Sequence, residues 1–432
     1  MRYWNRRKKY QLIYLLVDIL SSVLIWCAFL VFRWLVYDGR MLSVDTILIP
    51  MFSFYLPLFL YPLGCVFLYY LSGFYLRPLR KRYTRVLRRT FVSAMIISLI
   101  AFFLIVIDDP IGGHYERYLS SLSVLFLLQF VGSYLLRSMV IFFARRFDND
   151  LPRRYTIHSM EEVDAFEVRH AEHPYDEVIL DLESESKEND IYRLINRLYP
   201  CNVEISVVPS LYDMLTGAAM IEDVGDQPLI PITEHKMTDT ELCIKRAFDV
   251  VASLVALVVL SPIYILLSML VWSSSKGPVF YTQERVGLHG IPFNIIKFRT
   301  MRMNAEIDTP LLSLDNDPRV TSVGKFLRKY RLDELPQFWN ILRGDMSIVG
   351  PRPERRYFIT QIEEKAPYYC MIYKIRPGLT SWGPVKVGYT DTLDKMIRRL
   401  NYDIVYMENM SLGLDLKIMF HTLGVIFNGR GK

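Results

Sequence analysis

Four long apolar runs constrain this chain more than anything else in it: about Leu12 to Val36, Ile47 to Leu71, Phe91 to Ile107 and Tyr118 to Phe143. Each is near the roughly 20 residues that a helix needs to cross the hydrocarbon of a bilayer. Backbone in lipid must satisfy its own polar groups, so runs of this length predict a unit of four transmembrane helices. Arg6-Arg7-Lys8-Lys9 precedes the first run and no small-residue cleavage site follows, which predicts a retained anchor. The segment after the second run carries Arg77, Arg80, Lys81, Arg82, Arg85, Arg88 and Arg89 without one acid, whereas Asp38, Asp45, Asp108 and Asp109 mark the other connections. Loop charge of this kind places both ends of the four-helix unit on the cytoplasmic side. Arg33, near the far end of the first span, is expected to snorkel.

Beyond this unit the chain turns polar. The net charge of +6 is small for 432 residues, so electrostatic arguments rest on where charges cluster, and no nucleic-acid partner is expected. Cys27, Cys65, Cys201, Cys243 and Cys370 are scattered without a CxxC pair, which argues against a zinc site or a disulfide framework. Residues 149–238 alternate strand-like and helical runs. Arg154 to His158, Glu177 to Leu182 and Val203 to Val208 read as strands and Asp190 to Leu198 as a helix, which predicts a small α/β module. No G-x-G-x-x-G follows its first strand, so the cradle for a dinucleotide pyrophosphate is missing, and a spacer or regulatory role is expected.

The apolar run from about 248 to 272 has a different character. Pro262 sits at its midpoint beside Ser261, where a proline breaks or kinks a helix. Basic residues flank both ends, Lys245 and Arg246 before it and Lys276 and Arg285 after it. A crossing would leave one charged set on the wrong side of the membrane, so the run predicts a re-entrant helix, break and helix.

A short stretch downstream carries the chemistry. GKFLRKYRLDELPQFWNILRGDMSIVGPRPE places Asp333 and Glu334 between a basic run, Lys325, Arg328, Lys329 and Arg331, and the turn Pro351-Arg352-Pro353. Phosphoryl transfer needs cations around developing oxyanion charge and a carboxylate to attack phosphorus or hold Mg²⁺. On a helix, neighbours point about 100° apart, so the two acids are expected to have two roles. Upstream, Val279 to Gln283 and Phe293 to Phe298 predict a hairpin turning through Gly287 and Gly290, and Asp317-Pro318-Arg319 a turn.

LDELPQFWNILRGDMSIVGPRPE resembles the signature of the bacterial sugar transferases, the polyprenyl-phosphate phosphoglycosyltransferases that begin exopolysaccharide, capsule and O-antigen (lipopolysaccharide) assembly. Further matches follow in the same order: Lys245-Arg246-Ala-Phe-Asp249, Ser261-Pro262, Gly277 to Gln283, Lys297-Phe-Arg299-Thr-Met301, Asp317-Pro-Arg319 and Arg376-Pro-Gly378-Leu-Thr380. The resemblance implies a division into transmembrane helices (1–148), a degenerate Rossmann-like α/β module (149–238) and a monotopic catalytic domain (239–432). It implies that Asp333 is a nucleophile forming a phosphoaspartyl sugar intermediate and that Glu334, with Asp333, holds Mg²⁺. Lys297, Arg299, Arg328, Arg331, Arg352 and Arg376 would then bind phosphate, with Lys245 or Arg246 on the lipid phosphate. The implied partners are a nucleoside diphosphate sugar, a UDP-hexose by family analogy, and undecaprenyl phosphate at the bacterial inner membrane. The chain departs from the common family wording at Ser381-Trp382-Gly383-Pro384-Val385-Lys386, where Pro384 removes a backbone donor.

Two other readings compete: a non-catalytic membrane scaffold for polysaccharide assembly, and a phosphatase of lipid pyrophosphate, which would release inorganic phosphate. The sugar, the nucleotide and the pathway are not encoded in any of these motifs. The apolar faces of four spans allow a homodimer without requiring one.

Overall fold

The computed structural model describes residues 2–37, 50–76, 83–108, 115–147, 153–173, 175–181, 188–201, 203–209, 229–233, 236–302, 317–387 and 392–427. Its contacts divide it into two compact units. The first holds residues 1–153 with 239–243, and the second holds 154–238 with 244–432.

The first unit is built from α1 (Arg2–Tyr37), α2 (Pro50–Leu71), α3 (Tyr83–Asp108) and α4 (Tyr115–Phe147). Its polarity is inverted relative to a protein folded in water. Leu35, Phe59 and Leu119 are 69%, 74% and 67% exposed, whereas Asp18, Gln129 and Arg137 are at most 1% exposed. An apolar exterior around a polar seam is the arrangement that lipid as solvent selects. Three described helical stretches, Lys9–Arg33, Val86–Phe103 and Leu119–Phe143, are long and apolar enough to cross a bilayer, which marks the chain as a membrane protein. At the second expected span, about Ile47 to Leu71, the described residues hold only a shorter apolar stretch, Pro57–Leu71. Most of the basic connection, residues 77–82, lies outside the described residues, as do Asp38, Asp45 and Asp109.

A polar seam runs through the interior of this unit. Arg137 Nε donates to Asp18 Oδ1 at 2.8 Å, and its Nη1 donates to Thr90 Oγ1 at 3.2 Å. Its guanidinium carbon lies 3.7 Å from the Tyr69 ring centroid and 4.0 Å from that of Phe74. Tyr75 donates its hydroxyl to Asp18 Oδ2 at 2.8 Å. Gln129 extends the seam through Tyr61, Tyr69 and Ser133.

In the second unit, β1 (Arg154–Ile157), β2 (Glu177–Leu180) and β3 (Glu204–Val207) form a parallel sheet in sequence order, and β4 (Ile230–Pro231) adds antiparallel to β3. The crossovers carry α5 (Glu162–Glu172) and α6 (Glu188–Leu198). This sheet is not a free-standing module. Val178, Leu180, Leu194 and Ile205 share one buried cluster with Phe358, Ile359, Tyr369 and Tyr373 from far downstream.

The run at 248–272 lies in α7 (Asp239–Val259) and α8 (Ser261–Ser274), bent by 63° at Leu260. Pro262 occupies the first turn of α8, where its missing N–H has no helical carbonyl to lose, so the break falls at Ser261-Pro262 as expected. Next, β5 (Phe280–Val286) and β6 (Pro292–Phe298) form an antiparallel hairpin through a tight turn at Leu288–Gly290. Then come α9 (Ser322–Lys329), α10 (Gln337–Arg343), β7 (Ser347–Val349), α11 (Arg356–Lys365), β8 (Gly378–Thr380), α12 (Trp382–Val387), α13 (Leu393–Glu408) and α14 (Leu412–Phe427). Thr321 caps α9 by accepting from Gly324 N. Strands β7 and β8 run parallel, with Ser347 opposite Gly378. They approach so closely that a Cβ on Gly378 would lie 2.1 Å from Gly350 N, which reserves that position for glycine.

Candidate active site

The acid pair sits on a 3₁₀ turn, Leu332–Glu334, and not on a regular helix. Arg331 begins the turn at φ 53°, a left-handed conformation that side chains other than glycine adopt only at a cost of roughly 1–2 kcal/mol. That backbone lets Arg331 fold back, with Nη1 3.4 Å from Glu334 Oε2. Lys297 Nζ from β6 and Arg352 Nη2 from the Pro-Arg-Pro turn both donate to Glu334 Oε1 at 2.9 Å. Glu334 is buried. Burial alone would raise its pKa, but Lys297, Arg352 and Arg331 outweigh it and hold the carboxyl well below the usual range.

Asp333 is treated oppositely. It is partly buried, and among the described residues its carboxylate makes no hydrogen bond or ion pair. Burial, and after it the neighbouring Glu334 charge, raises its pKa. Lys297 is pushed below the ordinary lysine value, first by burial and then by Arg352, against the pull of Glu334.

The supports come from three directions. Tyr264 of α8 donates its hydroxyl to the Leu335 carbonyl at 2.7 Å. Leu267 and Val271 of the same helix, with Phe298 and Leu327, form the apolar floor against which Leu332 and Leu335 pack. Asn340 sets the height of Lys297: its Oδ1 accepts from Ile296 N at 3.1 Å and its Nδ2 donates to the Asn294 carbonyl at 2.7 Å. Arg352 is aimed by its turn. Asp403 Oδ2 accepts from Arg352 N at 3.4 Å, and its other oxygen accepts from Gly383 N at 3.0 Å and from Ser381. Buried Glu354 bridges Arg285 and Arg399, which together hold its carboxyl below the usual range despite burial. Sequence reasoning named none of Tyr264, Asn340, Arg399 or Glu354 for these roles, although Asn340 and Glu354 lie inside the GKFLRKYRLDELPQFWNILRGDMSIVGPRPE stretch.

The remaining sequence candidates scatter. Arg328 Nε donates to Thr300 Oγ1 at 3.0 Å, within electrostatic reach of Asp333. Arg299 points elsewhere, to the Ser275 carbonyl at 2.6 Å. Arg376 is exposed and donates to the Gly344 carbonyl at 2.9 Å. Lys245 and Arg246 have internal partners. Lys245 reaches Asp415 at 2.5 Å and the Val349 carbonyl at 2.9 Å, and Arg246 reaches the Ile341 and Leu342 carbonyls at 2.7 and 3.1 Å. These bonds tie α7 to the strands and helices behind the site. Ser261 Oγ donates to the Val258 carbonyl at 2.7 Å, across the helix break.

Among the described residues no group of three or more His, Cys, Asp or Glu converges to hold a metal. Mg²⁺ commonly needs only one or two carboxylates, with water and substrate phosphates completing its octahedron. The uncommitted Asp333 carboxylate beside Glu334 suits that mode and not a closed protein cage.

The sequence profile of the family described as bacterial sugar transferase matches residues 240–429. The exopolysaccharide production protein ExoY of Rhizobium meliloti is 40% identical over 203 residues, 44% of this chain and 87% of that protein. The chain belongs to the bacterial sugar transferases. Two longer members are also similar. The UDP-N-acetylgalactosamine-undecaprenyl-phosphate N-acetylgalactosaminephosphotransferase of Aeromonas hydrophila is 35% identical over 257 residues, 60% of each chain. The UDP-glucose:undecaprenyl-phosphate glucose-1-phosphate transferase of Escherichia coli K12 is 34% identical over 235 residues, 54% of this chain and 51% of that protein. The chain spans about half to three fifths of the length of these longer sugar transferases. Asp333, Glu334, Lys297 and Arg352 lie inside the matched span.

Proposed function

We propose that this sugar transferase moves a sugar-1-phosphate from a UDP-hexose to undecaprenyl phosphate, releasing UMP, as the first membrane step of a surface polysaccharide. The observation that carries the reading is the division of labour at residues 333 and 334: one acid locked by three cations and one that, among the described residues, is left uncommitted. A carboxylate free of hydrogen bonds and raised in pKa is a better nucleophile than one whose lone pairs are engaged.

An Asp333 oxygen attacks the β-phosphorus of the donor, and the bond from that phosphorus to the bridging oxygen breaks. UMP leaves with the electron pair, and the sugar phosphate stays on the enzyme as an aspartyl phosphodiester. An oxygen of the lipid phosphate then attacks the same phosphorus, and the Asp333 carboxylate departs. One phosphoanhydride replaces another, so the balance lies near unity and UMP drives the reverse. Lys297, Arg331 and Arg352 supply positive charge around the phosphorus, Glu334 fixes their positions, and Arg328 serves the same field from α9. Mg²⁺, held by Asp333 and Glu334 with the diphosphate, would neutralise oxyanion charge.

In this reading the four N-terminal helices cross the inner membrane with both ends cytoplasmic. The bent pair α7 and α8 enters and returns, which keeps the site beside cytosolic nucleotide sugars. The 63° bend and the basic residues at both flanks support this. The β1 to β4 sheet is Rossmann-like in order but has no glycine-rich phosphate turn, and it serves as a support.

The test is UMP release from a panel of UDP-sugars by protein in lipid nanodiscs, with undecaprenyl phosphate and Mg²⁺, comparing wild type with Asp333→Asn. Release that depends on lipid, on one sugar and on Asp333 upholds the reading. Equal activity of the variant removes the covalent route, and release of inorganic phosphate in place of UMP would favour a phosphatase.

A further inference from the structure

Arg299 stands where β6 leaves the catalytic turn. Lys297, two residues earlier, reaches Glu334, and Thr300, one residue later, holds Arg328. The Arg299 side chain runs instead to the end of α8, where Nη2 donates to the Ser275 carbonyl. The residue is 6% exposed. Its Nε and Nη1 are enclosed without any hydrogen-bond partner, and so is the Ser275 hydroxyl.

A guanidinium does not shed its proton, so it cannot escape burial by becoming neutral. Buried charged donors without acceptors are among the costliest unsatisfied groups in a protein. Capping the last carbonyls of α8 accounts for Nη2 alone. No carboxylate pairs with Arg299 among the described residues, and the nearest charge along the α8 exit, Lys276, is another cation. The missing partner is therefore an anion with several acceptor oxygens, the description of a phosphate monoester.

Position narrows the source. Ser275 follows a helix whose Ile265, Leu266, Met269 and Trp272 are exposed, an apolar face suited to lipid. The end of such a helix lies at headgroup depth, where a lipid phosphate is presented. Entry requires the exit turn to move aside. That turn contains Gly277 at φ 128°, a backbone conformation that other residues resist.

We propose that Arg299 and the Ser275 hydroxyl read the phosphate monoester of the acceptor lipid, apart from the Lys297–Arg352 cluster that serves the donor. The proposal rests on the transferase reading. It assigns the two substrates to different cations two residues apart, Lys297 on β6 and Arg299 just beyond its end.

The experiment uses the full chain in nanodiscs, as wild type, Arg299→Gln and Ser275→Ala. Initial rates are measured against undecaprenyl phosphate at saturating donor and against donor at saturating lipid. Binding of undecaprenyl phosphate without donor is followed by native mass spectrometry. Losing charge-assisted hydrogen bonds should raise the lipid KM about ten- to a hundred-fold in Arg299→Gln and a few-fold in Ser275→Ala, while the donor KM moves less than about two-fold. Phosphatidic acid should compete with undecaprenyl phosphate in wild type and lose that competition in Arg299→Gln. Competition by inorganic phosphate but not by phosphatidic acid would overturn the lipid assignment. So would a donor KM that rises as far as the lipid KM, or a misfolded Arg299→Gln together with an unchanged Ser275→Ala. Should wild type turn over no UDP-sugar yet bind the lipid through Arg299, the transferase reading fails and the site stands.

Discussion

Lys297 Nζ and Arg352 Nη2 meet on one oxygen of Glu334, both at 2.9 Å, while Asp333, the adjacent residue in the same turn, accepts from nothing among the described residues. The asymmetry separates a holder from a reactor, and it has consequences that differ in sign.

Asp333→Asn should abolish turnover yet leave the melting temperature unchanged or raised, because it removes a charge whose burial the fold opposes. Glu334→Gln should abolish turnover and lower the melting temperature, because three cations lose their counter-charge. Breaking a buried pair from one side costs about 3–5 kcal/mol. Thermal unfolding of both variants beside UMP release checks the contrast, and a destabilised Asp333→Asn would contradict it.

The pH profile follows from the same pair. Asp333 must be ionised to attack, and its pKa is raised, so the acid limb of kcat/KM should lie above the ordinary aspartate value of roughly 3.9. Lys297 must be charged, and its pKa is lowered, so the alkaline limb should lie below roughly 10.4. For stability the signs oppose. Depressed Glu334 contributes stability above its unfolded value of roughly 4.3 and loses it as pH falls through the folded value, whereas raised Asp333 loses stability as pH rises from its unfolded value of roughly 3.9 through its folded value. Rates from pH 4 to 10 in Asp333-competent protein locate both limbs.

Tyr264→Phe keeps the ring that packs beside Phe298 and removes the hydroxyl that holds the Leu335 carbonyl. One lost hydrogen bond of about 1 kcal/mol, felt at the catalytic turn, should lower kcat about five-fold with little change in donor KM. A KM effect of the same size would assign Tyr264 to substrate binding instead.

In the first unit, Asp18→Asn and Arg137→Met should each destabilise strongly, by about 3 kcal/mol, since each strands a buried charge. The double variant should be more stable than the worse single variant. Unfolding in nanodiscs gives the cycle, and additive losses would mean that the two residues act independently.

Much of this protein is written in local pattern. Apolar run length marks the membrane helices, Ser261-Pro262 marks the break between α7 and α8, and the order of the motifs marks the family. The first two signals depend on neighbours within about twenty residues, the range over which periodicity and proline act, and each family motif is itself a short local pattern. What tertiary structure decided lies across longer separations. Arg137 finds Asp18 119 positions away, Lys245 finds Asp415 170 positions away, and the sheet of the α/β module shares its core with Phe358 and Tyr373. The roles of residues 333 and 334 belong with these. The two carboxylates are equivalent in the sequence and differ only because β6 and the Pro-Arg-Pro turn bring Lys297 and Arg352 to one of them, and because desolvation raises the pKa of the other, which accepts no hydrogen bond among the described residues.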